Sequence, residues 1–504
     1  MDSMGGTRGH DGMSDFALRC GGHSPERQRA ADAVLAAIES GGLGLVRVAW
    51  CDIHGITRAK ALTPAAVRAA LQGGVGMVST LLLKDTSDRA AWPVFQPGGT
   101  ADLPGFGQAN NVVLLPDPAS FRVLPWRPST GWLRAQAWFA DGRPVSFDSR
   151  RLLQRALQWL AARGYGLRCG LEVQFHIYRI ADDDAQTDPR CAAWPGEPPA
   201  VRMIHPGYQL LSEAWLDQAD AALRIVRQTA QGLGLPLSSL EAEMGPSQVE
   251  AVFDVTDALT AADNMVLFRN AVRMALREAG YHVTFMCRPP FAQIMASGWH
   301  MHQSLVDLAT GANAMCRTAP APNCTPSDAR SVLSDAGAHY MAGLLAHARG
   351  MAVFCTPTAN GYGRFRPHAL APQSVQWGRD NRGAMLRVIG GCGDAATRIE
   401  NRIGEPAANP YLYPAAQIEA GQDGLERGLL PPPATEDPYG STATPLPTSL
   451  GEALDALDQD TVLAERLGQD WVAYIRQIKG LEWQRYTAAE DSEAFERREY
   501  FSRL

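Results

Sequence analysis

The stretch GLEVQFHIYR, residues 170–179, restricts the fold more than any other feature of the chain. Successive side chains of a strand point to opposite faces. Leu171, Val173, Phe175 and Ile177 therefore share one face, and Glu172, Gln174 and His176 share the other. Burial on a core explains the first face. Solvent explains the second as well as any site does, so one such strand decides nothing.

Three further segments repeat the pattern. SQVEAVF sets Gln248 and Glu250 against Val249, Ala251 and Phe253, and follows EAEMGP, where Glu243 precedes a Gly-Pro turn. SGWHMHQSL sets His300, His302 and Ser304 against Trp299, Met301 and Leu305. TRIENRIG sets Arg398, Glu400 and Arg402 against Ile399 and Ile403. Solvated faces are usually made of Lys, Ser and Thr; four that carry Glu, His and Arg point to a shared polar cavity. Ion pairs that merely knit the interior of a β-barrel are the structural alternative, and for His302 or Ser304 alone it stands level with the functional one.

The inventory sets the chemistry. Carboxylates with an imidazole suit hard divalent ions such as Mg²⁺ or Mn²⁺. Glu172, Glu243, Glu250, Glu400 and His300 suffice for two or more of them. Arg364, Arg382, Arg387, Arg398 and Arg402 answer to phosphate and carboxylate, which guanidinium binds through two parallel hydrogen bonds. Metals and arginines in one cavity point to phosphoryl transfer from a nucleotide. The chain has no Walker A sequence, so it is not expected to be a P-loop enzyme.

Bulk properties narrow the class. A length of 504 residues predicts more than one domain. A net charge of −7, with no block of Lys or Arg, argues against nucleic acid or an anionic membrane as partner. No apolar run reaches the length of a membrane span, and the polar, Gly-rich start lacks a signal core. Nine scattered Cys without a CxxC read as reduced thiols in a cytoplasmic protein. Residues 1–23 are expected to be a flexible tail. Residues 24–126 read as a small α+β domain: Ser24-Pro25 and Thr63-Pro64 open helices that stop at paired glycines, with strand-like pieces around them. Residues 127–504 form the larger domain.

At this point the residues resemble a known family, the glutamine synthetases, over about residues 44–504. GLEVQFHIY is similar to the family's G-x-E-x-E-F strand and EMGPSQVE to its E-x-G-P-x-Q-x-E segment. TFMCRPP…SGWHMHQSL, PTANGYGRFRPHALAP, and DNRGAMLRV with TRIENRIGEPAANPYLY resemble three more of its motifs, in order. Within the family the chain resembles the γ-glutamylanilide synthases, glutamate–amine ligases that begin aniline breakdown.

The resemblance implies an α+β fold, an N-terminal β-grasp domain followed by an antiparallel β-barrel with surrounding helices. It implies that Glu172, His300 and Glu400 hold the metal on the nucleotide phosphates, and that Glu243, Glu250 and the residue at Gln174 hold a second. Arg364 and Arg402 would bind glutamate, Arg382 and Arg387 the transferred phosphoryl group, and His302, Ser304 and Arg398 ATP. Two or three Mg²⁺ or Mn²⁺ ions per site, ATP as co-substrate and a homo-oligomer of stacked rings, a dodecamer, are implied too. Active sites would lie between subunits, with the CDIHGITRAK loop entering the neighbour's site.

Three departures bear on the substrate. Gln174 replaces a third carboxylate. MASG, residues 295–298, stands where the family has N-G-S-G. Leu370 stands where glutamine synthetases carry the flap glutamate that holds ammonium and takes its proton. A small cation needs buried negative charge, whereas an apolar side chain rewards apolar contact at about 25 cal/mol per Å² buried. The expected nucleophile is therefore a hydrophobic, aniline-like amine, which is largely neutral near physiological pH. Tyr208 is a candidate for the same pocket. Asp52, on the entering loop, is a candidate proton acceptor or equally a structural turn residue. An alkylamine or polyamine ligase, a true glutamine synthetase and a non-catalytic structural relative are the alternatives.

Overall fold

Ser24 and Pro25 start the first long helix by ordinary capping chemistry. The computed structural model describes residues 16–22, 24–107, 109–366, 371–440 and 442–504. In it the Ser24 hydroxyl accepts the Arg27 N–H at 3.1 Å, and Pro25 sits in the first turn, where its missing N–H is not needed. This helix, Pro25–Ser40, stops at Gly41; a second, Pro64–Gly73, stops at Gly74, whose φ of +72° suits glycine.

Both helices lie on a mixed sheet ordered Thr57–Leu62, Leu45–Cys51, Arg127–Phe139, Asn111–Pro116, Val75–Val78. Its central pair, Leu45–Cys51 and Arg127–Phe139, is parallel, with Val48 opposite Leu133. Val46 and Leu133 pack against Val34, Val67 and Leu71 of the helices. This first compact unit runs on to Asp148. It takes in residues beyond 126 because Arg127–Phe139 is the strand that joins the two sides of the sheet. Within the span read as a tail, Phe16–Arg19 is helical, and Phe16 and Ala17 are buried with Leu115. Residues 1–15 and 23 lie outside the described residues.

The second unit comprises Cys51–Ile56, Leu83–Ala91 and Ser149–Leu504. Its nine-stranded sheet runs Trp377–Arg379, Leu386–Ile389, Arg398–Asn401, Trp299–Asp307, Tyr165–Asp182, Gln248–Asp257, Leu237–Ala242. The 18-residue strand Tyr165–Asp182 is the spine. It pairs antiparallel with Trp299–Asp307 and Gln248–Asp257 along its first part and with Tyr281–Thr284 and Ala200–Met203 along its second.

The apolar alternation is borne out. Val173, Phe175, Ile177, Val249 and Ala251 are wholly buried, and the helix Ala258–Glu278 covers this side of the sheet. Its Phe268 lies 4.9 Å from Phe253 and 5.9 Å from Phe175 between ring centroids, and Phe175 stacks on Phe285 at 5.0 Å. Behind the sheet the helices Asp335–Ala346 and Leu412–Arg427 meet at glycines: a Cβ on Gly343 would come within 2.1 Å of the Ala420 carbonyl oxygen. No helix among the described residues is long and apolar enough to cross a membrane. Phe268→Ala empties the centre of an aromatic cluster and is expected to cost about 3–5 kcal/mol, read as a lowered midpoint in urea unfolding.

Candidate active site

Residues directly opposite on paired strands share a sheet face, so the register determines what meets. Glu250 stands opposite Glu241 on one side and Gln174 on the other. Glu172 is opposite His300, His302 opposite Glu400, and Glu400 opposite Arg387. Six strands thus contribute one polar face, and the polar sides of the four segments do converge. Glu241 was missed by the sequence reading; its alternation with Ser239 and Glu243 in SLEAE carried a signal, but only the strand pairing sets it against Glu250.

Two groups of ligand atoms result. Glu172, Glu250 and His300 offer one set within 4.8 Å of one another, and Glu172, His302 and Glu400 another. This differs from the implied division. His302, expected only at the nucleotide, bonds Glu172 Oε1 at 2.9 Å through Nε2, and its Nδ1 accepts from Arg398 Nε at 3.1 Å. His300 Nδ1 lies 3.4 Å from Glu172 Oε2 and 3.7 Å from Glu400 Oε1, so it serves both carboxylates. Glu243 joins neither group among the described residues, and its Oε2 accepts the Met244 N–H at 2.9 Å.

Gln174 does not stand free as a ligand. Its Oε1 accepts the Gly298 N–H at 2.7 Å, and its side chain also bonds Glu250. The amide ties the MASG segment to the spine strand. Gly298 in turn leaves room for the site: a Cβ there would lie 2.6 Å from Arg364 Nη2 and 2.9 Å from His300 Nε2.

The electrostatics are uneven along this face. Burial first, then Glu243, Glu172 and Glu241, push Glu250 up to about 9. Burial also raises Glu172, but bonds from His300 and His302 outweigh it and hold that carboxyl well below the usual range. Burial and then Arg402 push His300 down to about 4, which leaves it neutral with a lone pair to donate. Glu400, wholly buried, is kept low by His300, Arg402 and His302 against the effect of burial. Crowded, desolvated carboxylates beside neutral imidazole match a hard divalent cation, so the residues fit the expected metals.

The arginines divide. Arg387 Nη1 reaches Glu400 Oε2 at 3.0 Å, and Arg402 pairs with Glu400 Oε1. Arg364 is buried, donating to the carbonyls of Arg402 at 2.8 Å and Gly404 at 3.2 Å. Arg382 is exposed on the turn before Leu386–Ile389 and has no ion pair among the described residues. Beside the cluster, His302, Ser304, Arg398 and Glu172 line a cavity of about 320 Å³, whose other walls include Phe253 and Val252.

Two expected residues change character and one drops from view. Asp52 is buried; its Oδ1 accepts the His54 and Ile56 N–H groups at 3.0 and 2.9 Å, which favours the structural turn role. Tyr208 is half-exposed, and its hydroxyl donates to the Gln293 carbonyl. Leu370 lies outside the described residues. Gly298→Ala is expected to displace both Arg364 and His300, and so to weaken divalent-cation binding by about tenfold or more. Titration of the Mn²⁺-induced rise in Tm checks this.

With the geometry in place, comparison with known proteins gives consistent results. The family described as glutamine synthetase, catalytic domain, matches residues 146–500. The chain is 39% identical to the gamma-glutamylanilide synthase of an Acinetobacter species, covering 97% of this chain and 99% of that one. It is 31% identical to the gamma-glutamylethanolamide synthetase GlnA4 of Streptomyces coelicolor over 74% of this chain and 76% of that one. The figures for the glutamine synthetase of Thermus thermophilus are 33%, 75% and 82%. A solved structure titled as a GmaS/ADP complex superposes with a TM-score of 0.73 at 26% identity, covering 92% of this chain and 98% of that one. This chain belongs to the glutamine synthetase family.

Proposed function

We propose that this enzyme joins the γ-carboxylate of glutamate to a hydrophobic, aniline-like amine at the expense of ATP, releasing ADP and phosphate. One observation carries the choice of amine: the likeness to a gamma-glutamylanilide synthase spans both chains almost end to end. Glutamate's γ-carboxylate attacks the terminal phosphate of ATP, giving γ-glutamyl phosphate and ADP. The amine nitrogen then attacks the acyl carbon, loses a proton and displaces phosphate.

In this reading His302, Ser304 and Arg398 receive the nucleotide in the cavity beside Glu172. Glu172, His302 and Glu400 would hold one Mg²⁺ or Mn²⁺, and Glu250 with Glu172 and His300 a second, with the charges of Glu243 and Glu241 beside it. When bound, these ions neutralise charge between two anionic reactants that otherwise repel. Gln174 is not assigned as a ligand; it positions Glu250 and the 295–298 segment. Arg387 and Arg382 meet the transferred phosphoryl group, and Arg402 meets glutamate, held in place by Arg364 beneath it. The mixed N-terminal sheet is read as a β-grasp domain, and the active form as a homo-oligomer of stacked rings. Nine scattered cysteines without a CxxC suit a cytoplasmic setting. The likeness to a gamma-glutamylethanolamide synthetase favours a small hydroxyalkylamine as the second reading.

Phosphate release with ATP, Mg²⁺ and glutamate, measured against aniline, ethanolamine, methylamine, putrescine and ammonium, separates these. Aniline is expected to exceed ammonium by at least about tenfold in kcat/KM. Best turnover with ammonium defeats the choice of amine, and no turnover with any amine points to a structural relative. Glu250→Ala is expected to reduce turnover to background; full activity in that variant would show that the cluster is not the site.

A further inference from the structure

Backbone strain gathers around one end of the acidic face. Eight non-glycine residues among those described have positive φ. Four of them, Tyr208 (+59°), Leu211 (+57°), Ser247 (+59°) and Gln293 (+58°), lie in three segments that bond to one another. Tyr208 N–H donates to the Met244 carbonyl at 2.7 Å and Leu211 N–H to that of Ala242 at 3.0 Å. Ser247 N–H donates to the His205 carbonyl at 3.0 Å, and its hydroxyl accepts the Ile204 N–H at 2.9 Å. The Tyr208 hydroxyl reaches the Gln293 carbonyl. Packing between the segments is close: a Cβ on Gly207 would stand 2.5 Å from Pro246 N, and one on Gly245 2.8 Å from Met295 Cβ.

Left-handed backbone crowds any residue with a Cβ. It persists where surrounding contacts over-determine it, and such sites cluster where chemistry or binding occurs. Here the three segments frame the Glu243–Glu250 end of the cluster. The carbonyls that hold Tyr208 and Leu211 belong to the two residues flanking Glu243. The side chains displayed there are not those of a cation or phosphate site. Tyr208, Leu210 and Leu211 are 50%, 49% and 58% exposed. A strained turn that holds two leucines in the open gains little from its own packing.

We infer that Leu210 and Leu211, with Tyr208, are the specificity residues of the enzyme: an apolar ledge that receives the hydrocarbon body of the amine while its nitrogen points to the acidic face. The inference rests on the amine-ligase reading above and deepens it, since it names side chains that select the amine. It places that selection on a turn fixed to the Glu243 segment.

The test compares kcat/KM for aniline with kcat/KM for methylamine in the full-length enzyme, in Leu211→Ala, Leu211→Gly and Leu210→Ala, and in Leu430→Ala, which alters an exposed leucine elsewhere. The aniline-to-methylamine ratio is expected to fall about tenfold in the three ledge variants through KM for aniline, and to hold in Leu430→Ala. Leu211→Gly also relieves the positive φ, so its Tm is expected to hold or rise while the ratio falls. A purely structural role moves Tm and ratio together. An unchanged ratio in the ledge variants, or a change in oligomeric mass with no change in ratio, overturns the inference. If the unaltered enzyme uses aniline no better than ammonium, the amine-ligase reading itself fails, and the two failures are thereby distinguished.

Discussion

Four carboxylates gathered at one end of a sheet face are costly to fold. Burial first, and then the charges of Glu243, Glu172 and Glu241, push Glu250 up to about 9. A pair of full charges about 5 Å apart, at an effective dielectric constant of about 20, repels by about 3 kcal/mol. No helix or strand propensity requires that arrangement. It is sustained by the opposite face of the same strands, where Val173, Phe175, Val249 and Ala251 are wholly buried under Phe268 and Phe285. The alternation of a single strand therefore joins a favourable hydrophobic term to an unfavourable electrostatic one. The second is tolerated because the first cannot be kept without it.

The compensation is polarised. At the Glu400 end, Arg387 and Arg402 pair with the carboxylate directly, and His300 and His302 stand beside it. At the Glu250 end the nearest polar partner is the neutral amide of Gln174. The Glu400 end thus carries fixed cationic charge of the chain's own beside any bound ion, whereas the Glu250 end depends on a bound cation alone. That asymmetry suits the proposed reaction between two anionic reactants, since fixed cationic charge stands at one side only.

Much of this was legible in the sequence because period-2 alternation is local. Four segments announced their faces, and Ser24-Pro25 and Gly74 announced helix ends. What was not legible depended on pairing between distant strands. Glu241 belongs to the site only because Glu250 lies opposite it, and His302 shares Glu172 with His300 only because both follow from one antiparallel register. Asp52 read equally as a proton acceptor and as a structural turn residue; its acceptor role for two N–H groups of its own turn cannot be told from composition. That Arg127–Phe139 belongs with the first unit was hidden for a similar reason: its parallel pairing with Leu45–Cys51 leaves no local mark.

The positions of rigid and strained backbone complete the logic. Charge-bearing groups sit on the strands, where ladder hydrogen bonds fix Cβ positions and the register sets distances between carboxylates. The apolar side chains beside them sit on turns, where Tyr208 and Leu211 are held in left-handed backbone by bonds to the Glu243 segment. A strand position cannot change its side chain's direction without shifting the whole register. A turn can exchange its side chains while leaving every strand pairing intact. A family that keeps one phosphoryl-transfer apparatus while varying the nucleophile would vary it at such a turn, and the division between sheet and turn in this chain has that form.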